Sequence, residues 1–158
     1  MTSAFSTAHC KKLHRDFYRR PAHILAPELL GKVFLRKEKA GYSGGMITEV
    51  EAYEQHDPAS HSFSGISERN KLMFGEAGFL YVYLIYGIHF CANVVSGKKD
   101  SGEAVLLRGI NPLTGLEYIQ QRRNSAKQDK LLTGPGNLCK GLHISRAHNG
   151  TDLCGEDI

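Results

Sequence analysis

No run of apolar residues comes near the roughly 20 that a helix needs to cross a bilayer, which excludes a helical membrane span within this sequence. Residues 1–10 are small and polar without an apolar segment, so no secretory leader is expected there. The four cysteines, Cys10, Cys91, Cys139 and Cys154, stand far apart and form no C-x-x-C. That spacing speaks against a disulfide framework or a zinc site and for a reducing compartment. Internal repeats and low-complexity linkers are missing. So are G-x-G-x-x-G, P-loop and nucleophile-elbow patterns, which leaves dinucleotide, nucleoside-triphosphate and elbow-serine chemistry without a motif.

What is present is a globular composition. Of 158 residues, 41% are hydrophobic and 23% charged, enough for one domain with a real core and not comfortably two. The formal net charge of +4 and the pI of about 8.9 tilt mildly toward a polyanionic partner. Lys11, Lys12, Arg15, Arg19 and Arg20 make an early basic stretch. An organelle transit segment is one reading of it; Asp16 with Phe17 and Tyr18 favours the start of a folded part.

Residues 23–31 (HILAPELLG) predict a short helix with Pro27 in its first turn and Gly31 closing it. Residues 32–38 read as a strand, AGYSG as a turn and 45–53 (GMITEVEAY) as a second strand, together a hairpin. Residues 54–70 read as a polar loop and KLMF as a helical turn. FLYVYLIY and IHFCANVVS predict two strands meeting near Gly87, and 103–110 another. A helix is expected to open after Pro112, followed by a solvated loop at SAKQDK and a short helix after a glycine–proline turn. Strands that follow one another without intervening helices predict an α+β fold: one domain over 1–158, with a mainly antiparallel sheet and short flanking helices.

Alternation in 45–53 puts Ile47, Glu49, Glu51 and Tyr53 on one face. Two carboxylates beside an aromatic fit either a solvated sheet face or a cleft in which a carboxylate acts as a base. Glu-x-Glu is also a divalent-metal pattern, ranked lower because no third carboxylate stands at a companion position. His56 reads as a surface residue, and His61, shortly after the acidic strand, as a candidate for a cleft lip. Arg108 interrupts an apolar strand, so a partner is expected: Glu49, Glu51 or a phosphate. Arg122, Arg123, Lys127 and Lys130 read as a solvated basic face.

Tyr81 and Phe79 read as strand-favouring aromatics, with the Tyr81 hydroxyl at the sheet rim. Tyr86 abuts Gly87 and should project from a hairpin tip, where an exposed aromatic suits a wedge between stacked bases. His89, Cys91 and Asn93 share the next strand's face.

EVEAY, the His61 loop with Arg69–Asn70, LYVYLIYGIHFCANV, AVLLRGINPL and LLTGPGNLCKGL occur in that order with spacings that resemble one family. It is the 3-methyladenine (alkyladenine) DNA glycosylase family of the type without a helix-hairpin-helix. The resemblance runs from about residue 16 to the C-terminus. It implies a curved sheet with a protruding hairpin that intercalates into DNA. It implies excision of alkylated or deaminated purines, of the 3-methyladenine, hypoxanthine or ethenoadenine kind, from duplex DNA after base flipping. By motif match, Glu51 is the carboxylate that activates water. Arg108 stands near that water and the target phosphate. Tyr53, His61 and Tyr83 sandwich the base, Asn93 crowds the amino group of guanine, and Tyr86 fills the vacated stack. Arg69 and Asn70 are structural or close to the DNA. No cofactor and no metal are implied, the partner is double-stranded DNA with a damaged purine, and a monomer away from membranes is expected. Localisation follows the DNA: cytoplasmic at the nucleoid in a prokaryote, nuclear or organellar in a eukaryote. Residues 1 to about 15 are expected to be a flexible lead-in. The resemblance also implies further strands beyond CGEDI, so an open sheet edge and a half-open pocket are expected here. The alternative reading is a truncated, catalytically impaired protein that binds damaged DNA.

Overall fold

The computed structural model describes residues 5–125 and 127–158. Five strands form one sheet: β1 (Val33–Glu38), β2 (Gly41–Tyr53), β3 (Leu80–Ile85), β4 (His89–Ser96) and β5 (Glu103–Thr114). Their spatial order is β1-β2-β5-β4-β3, with every pairing antiparallel. Among the described residues four short α-helices accompany them: α1 (Arg15–Tyr18), α2 (Ala22–Leu29), α3 (Leu116–Arg123) and α4 (Pro135–Gly141). The expected α+β class with an antiparallel sheet holds. Among the described residues no helix is long and apolar enough to cross a membrane, and all four cysteines are free.

Alternation divides the sheet into two faces. Leu80, Val82, Val94, Val105 and Leu107 point to one, where Leu25 and Leu29 of α2, Leu138 of α4 and Leu142 just after it bury them in the main core. Each such leucine stabilises the fold by roughly 1.5–3 kcal/mol. Tyr81, Val95 and Ala104 point to the other face, where a smaller cluster forms with Met73 and Phe74. Those two come from the 3₁₀ turn Lys71–Phe74. The second face is therefore only partly covered, and the candidate site lies there.

Several local expectations are corrected. Within AGYSG only Ala40 belongs to the turn and the other four residues are strand, because only Lys39 and Ala40 separate β1 from β2. Gly44 and the following Gly45 are needed for closeness: a Cβ on Gly44 would stand 2.1 Å from the Phe34 carbonyl oxygen, and one on Gly45 1.9 Å from that of Asn111. No helix opens after Pro112. β5 continues to Thr114, and α3 begins at Leu116 after Gly115. Pro112 is tolerated because β4 pairs with β5 only over Glu103–Leu106, so the far end of β5 has β2 as its one strand neighbour. Pro27 occupies the second turn of α2, not the first. It forfeits one helical hydrogen bond in a helix that ends two residues later. SAKQDK contains a 3₁₀ turn at Gln128–Lys130, while Ala126 lies outside the described residues. Residues 1–4 of the expected lead-in also lie outside them, and Leu13 packs on the main core.

Residues 149–157 supply hydrogen bonds to both sheet edges. Leu80 N donates to Thr151 O and Gly150 N to Leu80 O beside β3, and Lys37 N donates to Asp157 O beside β1. Paired edges resist adding foreign strands.

Arg122 does not belong to a solvated face. Its guanidinium donates to both Glu38 oxygens, at 2.7 and 2.8 Å. Ser43 donates its hydroxyl to the same carboxylate, and Arg36 stands 3.1 Å away. Burial pushes the Glu38 carboxyl up, but these partners outweigh it and hold it at about 2.

Candidate active site

Two bulges shape the acidic end of the second face. In the β2–β5 ladder Ile47 pairs with Ile110, Glu49 with Gly109 and Val50 with Leu107. Thr48 is thus an extra residue on β2 and Arg108 an extra residue on β5. A bulge re-aims the side chains beside it. Ile47 therefore turns into the main core, 4% exposed, instead of sharing a face with Glu49 as strict alternation expects. Arg108 escapes the core that its apolar neighbours enter. Its Nε donates to Glu49 Oε1 at 3.0 Å and its Nη1 to Glu51 Oε2 at 2.9 Å. The hydrogen bond that Arg108 donates to Glu49, and the charge of nearby Glu51, raise the Arg108 pKa further, so it stays cationic. Both partners expected for Arg108 are thus engaged at once.

One register row links this carboxylate to an aromatic hollow. Glu51 pairs with Leu106, Leu106 with Asn93, and Asn93 with Tyr81, so four neighbouring strands place one residue each on the same face. Beside that row is a cavity of about 160 Å³ lined by Tyr53, Ala59, His61, Met73, Tyr81, Tyr83, Ile85 and Asn93. It is well below the roughly 300–1,000 Å³ of pockets for drug-sized ligands. The Tyr83 and His61 rings stand 4.3 Å apart between centroids, and Tyr83 and Tyr81 5.4 Å. Asn93 is buried, and its Nδ2 donates to Tyr81 O at 3.2 Å. Burial, then the hydrogen bond with Glu51, pushes the Tyr53 phenol up to about 12. Burial and Cys91 raise Tyr83, and burial raises Tyr81. All three phenols keep their protons at neutral pH. Burial and the neighbouring Arg69 lower the His61 pKa, so its ring is neutral there.

Tyr81 is 1% exposed, not at the sheet rim. Its hydroxyl lies 3.2 Å from His61 Nδ1, which satisfies a phenol that burial would otherwise strand. The loop carrying His61 is pinned by Asn70. That amide donates to His61 O at 2.7 Å and to Gly65 O at 2.9 Å, and accepts from Ser67 N at 2.6 Å. Asn70 is 4% exposed and holds the loop. Arg69 is exposed, donates to Leu84 O at 3.3 Å and lies 5.8 Å from the Tyr83 ring centroid. His56 is a surface residue 3.4 Å from Glu54.

Tyr86 stands at the tip of the β3–β4 hairpin, 87% exposed, with Ile88 beside it 71% exposed. Tyr86 (φ 52°) and Gly87 (φ 70°) both take left-handed backbone, which a tight hairpin turn requires and which a tyrosine adopts at a cost. The tip thus holds a large aromatic in a position suited to Asn or Gly.

A family model described as methylpurine-DNA glycosylase matches residues 16–158. The chain belongs to that family. A relative from Chlorobaculum tepidum is 44% identical over 148 residues, covering 92% of this chain and 71% of its own. One from Methanoculleus marisnigri is 46% identical over 137 residues, covering 87% and 71%. One from Rhodopseudomonas palustris is 46% identical over 142 residues, covering 90% and 69%. Each carries the curated name "Putative 3-methyladenine DNA glycosylase". The methylpurine-DNA glycosylase family places the chain among the DNA glycosylases of DNA repair.

In this chain the fold brings Tyr53, His61, Tyr83 and Asn93 around one cavity and sets Glu51 and Arg108 beside it, while Tyr86 stands outside. Cys91 escaped the sequence reading as a site residue. It pairs with Tyr83 across β3 and β4 and hydrogen-bonds to its phenol. Its shared strand face with Asn93 was the available signal. Met73 and Ala59 reach the cavity from the 54–79 segment, and nothing in the pattern marks them. A larger cavity, about 470 Å³, lies beside β1 with Lys11, Lys12, Lys32 and Lys37 in its lining. It contains none of the candidate residues.

Proposed function

We propose that this chain binds duplex DNA, flips a damaged purine into the aromatic cavity and hydrolyses its bond to the sugar, leaving an abasic site. The observation that carries the reading is the Glu51 carboxylate, oriented by Arg108 at one end of a register row whose other end forms the cavity. Rupture of a glycosidic bond builds positive charge on the sugar. Glu51 stabilises that charge and takes a proton from water. The hydroxide oxygen bonds to C1′, and the electron pair of the C1′–N bond leaves with the base. A purine made cationic by alkylation departs neutral. A neutral purine must also gain a proton. No lysine nucleophile is required, so the strand stays intact.

Tyr53, His61 and Tyr83 stack the flipped base, and Asn93 on the cavity wall crowds a purine carrying the extra amino group of guanine. Tyr86 offsets part of the unstacking, which costs a few kcal/mol, by filling the vacated space. Arg108 holds Glu51 and reaches toward the target phosphate.

The test is incubation with duplexes carrying a single hypoxanthine or a single alkylated purine, scored for free base and alkali-labile sites with and without EDTA. Excision resistant to EDTA is the expected result. Lesion binding without product would make the chain a damaged-DNA-binding protein instead. Strand breaks that EDTA suppresses would favour a metal-dependent nuclease using Glu49 and Glu51.

A further inference from the structure

The cavity is bounded by charges whose balance turns on one residue. Glu49, Glu51 and Arg108 together carry one net negative charge. Arg69 stands on the other flank, 5.8 Å from the Tyr83 ring centroid and anchored to Leu84 O at 3.3 Å. Among the described residues no carboxylate pairs with it, whereas its neighbours Glu68 and Lys71 pair with each other at 2.8 Å. Its positive field reaches both His61 and Tyr81. A base held between the same walls lies in the same field. The guanidinium also engages the Tyr83 π-face, the surface that would otherwise attract a cationic ring.

We propose that Arg69 is a specificity-determining residue that biases the cavity toward electrically neutral purines and against purines carrying a positive charge. This rests on the cavity being the base pocket. The proposal concerns ground-state binding. Once the glycosidic bond breaks, a cationic base leaves neutral, so Arg69 weakens capture of such a lesion without slowing its departure. For a partly exposed charge at this range the effect is about fivefold in relative affinity.

The test compares two duplexes of one sequence, one with 7-methyladenine, a fixed cation without the amino group of guanine, and one with hypoxanthine, each on a 2′-fluoro sugar that resists cleavage. Dissociation constants are measured for the wild-type chain, Arg69→Gln and Arg69→Lys at low and high salt. Contacts to DNA phosphates are common to both duplexes and cancel in the ratio, although each affinity falls with salt. Arg69→Gln should shift the ratio about fivefold toward the cationic lesion, and Arg69→Lys should keep it near the wild-type value. The wild-type ratio should itself move toward the cationic lesion as salt screens Arg69, a readout that needs no variant to fold. With both duplexes bound selectively, a ratio indifferent to Arg69→Gln and to salt overturns the proposal alone. So does a Lys variant that behaves like Gln. A wild-type chain that prefers neither lesion over undamaged duplex overturns the base-pocket reading, and this proposal with it.

Discussion

Two arginine–carboxylate clusters sit in this sheet, and they differ in every respect that separates a brace from a tool. Around Glu38 one carboxylate meets two guanidiniums and a serine hydroxyl, and its side chain is 7% exposed. Around Arg108 one guanidinium is shared by two carboxylates, with Glu49 54% and Glu51 43% exposed. The first cluster leaves Glu38 no capacity for a ligand. The second leaves surplus acceptor oxygens facing solvent beside an aromatic hollow. Ion pairs alone therefore do not mark a site; the surplus of one partner and access to a cavity do.

The largest expected effect is on the open cluster. Glu51→Gln should lower single-turnover excision by about 10²–10⁴-fold, the range of a lost general base. Lesion binding should survive, because Arg108 and the cavity walls remain. Excision by Glu51→Gln at the wild-type rate would remove Glu51 from the chemistry.

The closed cluster should respond in stability instead. Glu38→Gln leaves Arg36 and Arg122 without their carboxylate and should cost about 3 kcal/mol, roughly 5–10 °C in Tm. Excision per folded molecule should not change. Since folding lowers the Glu38 carboxyl from 4.5 to about 2, its contribution is full above the unfolded value and is lost as pH falls from about 4.5 toward 2. Thermal melts across that window should converge for wild type and variant. Curves that stay parallel would show that Glu38 is not what weakens the fold in acid.

These differences show what a linear reading can reach. The β3–β4 hairpin, the exposed Tyr86 and the pairing of Arg108 with Glu49 and Glu51 were all legible, because alternation, a glycine and an isolated charge are local signals. The bulges at Thr48 and Arg108 were not. They depend on how β2 and β5 meet, more than fifty residues apart, and they alone explain why Ile47 leaves the face of Glu49. Arg122 looked solvated because its partner, Glu38, is 84 residues away. Tyr81 was misplaced because its cover, the loop held by Asn70, shows no periodicity to read.

Tyr86 separates the cavity from the tip. Tyr86→Ala removes a side chain that is 87% exposed and leaves an L-residue in the same left-handed backbone, so Tm should change by no more than a degree or two. Excision at limiting enzyme should fall about tenfold, as the stacking that offsets flipping is lost. A variant that unfolds would instead place Tyr86 among the packing residues.

Glu49→Gln should have the smallest effect and discriminates most sharply between uses of the open cluster. Its ion pair with Arg108 is exposed and worth about 0–1 kcal/mol. The Arg108 guanidinium still has Glu51, and the Gln carbonyl oxygen can accept from Nε. Stability should hold within about 0.5 kcal/mol, and excision within about threefold. A metal-bridged pair would behave otherwise, since replacing either carboxylate would remove a ligand. If Glu49→Gln proves as damaging as Glu51→Gln, and EDTA reproduces the loss, the two carboxylates act as one site. The asymmetry that Arg108 imposes, with one oxygen of each glutamate held in a separate hydrogen bond, predicts the opposite: one carboxylate for chemistry and one to steady the arginine.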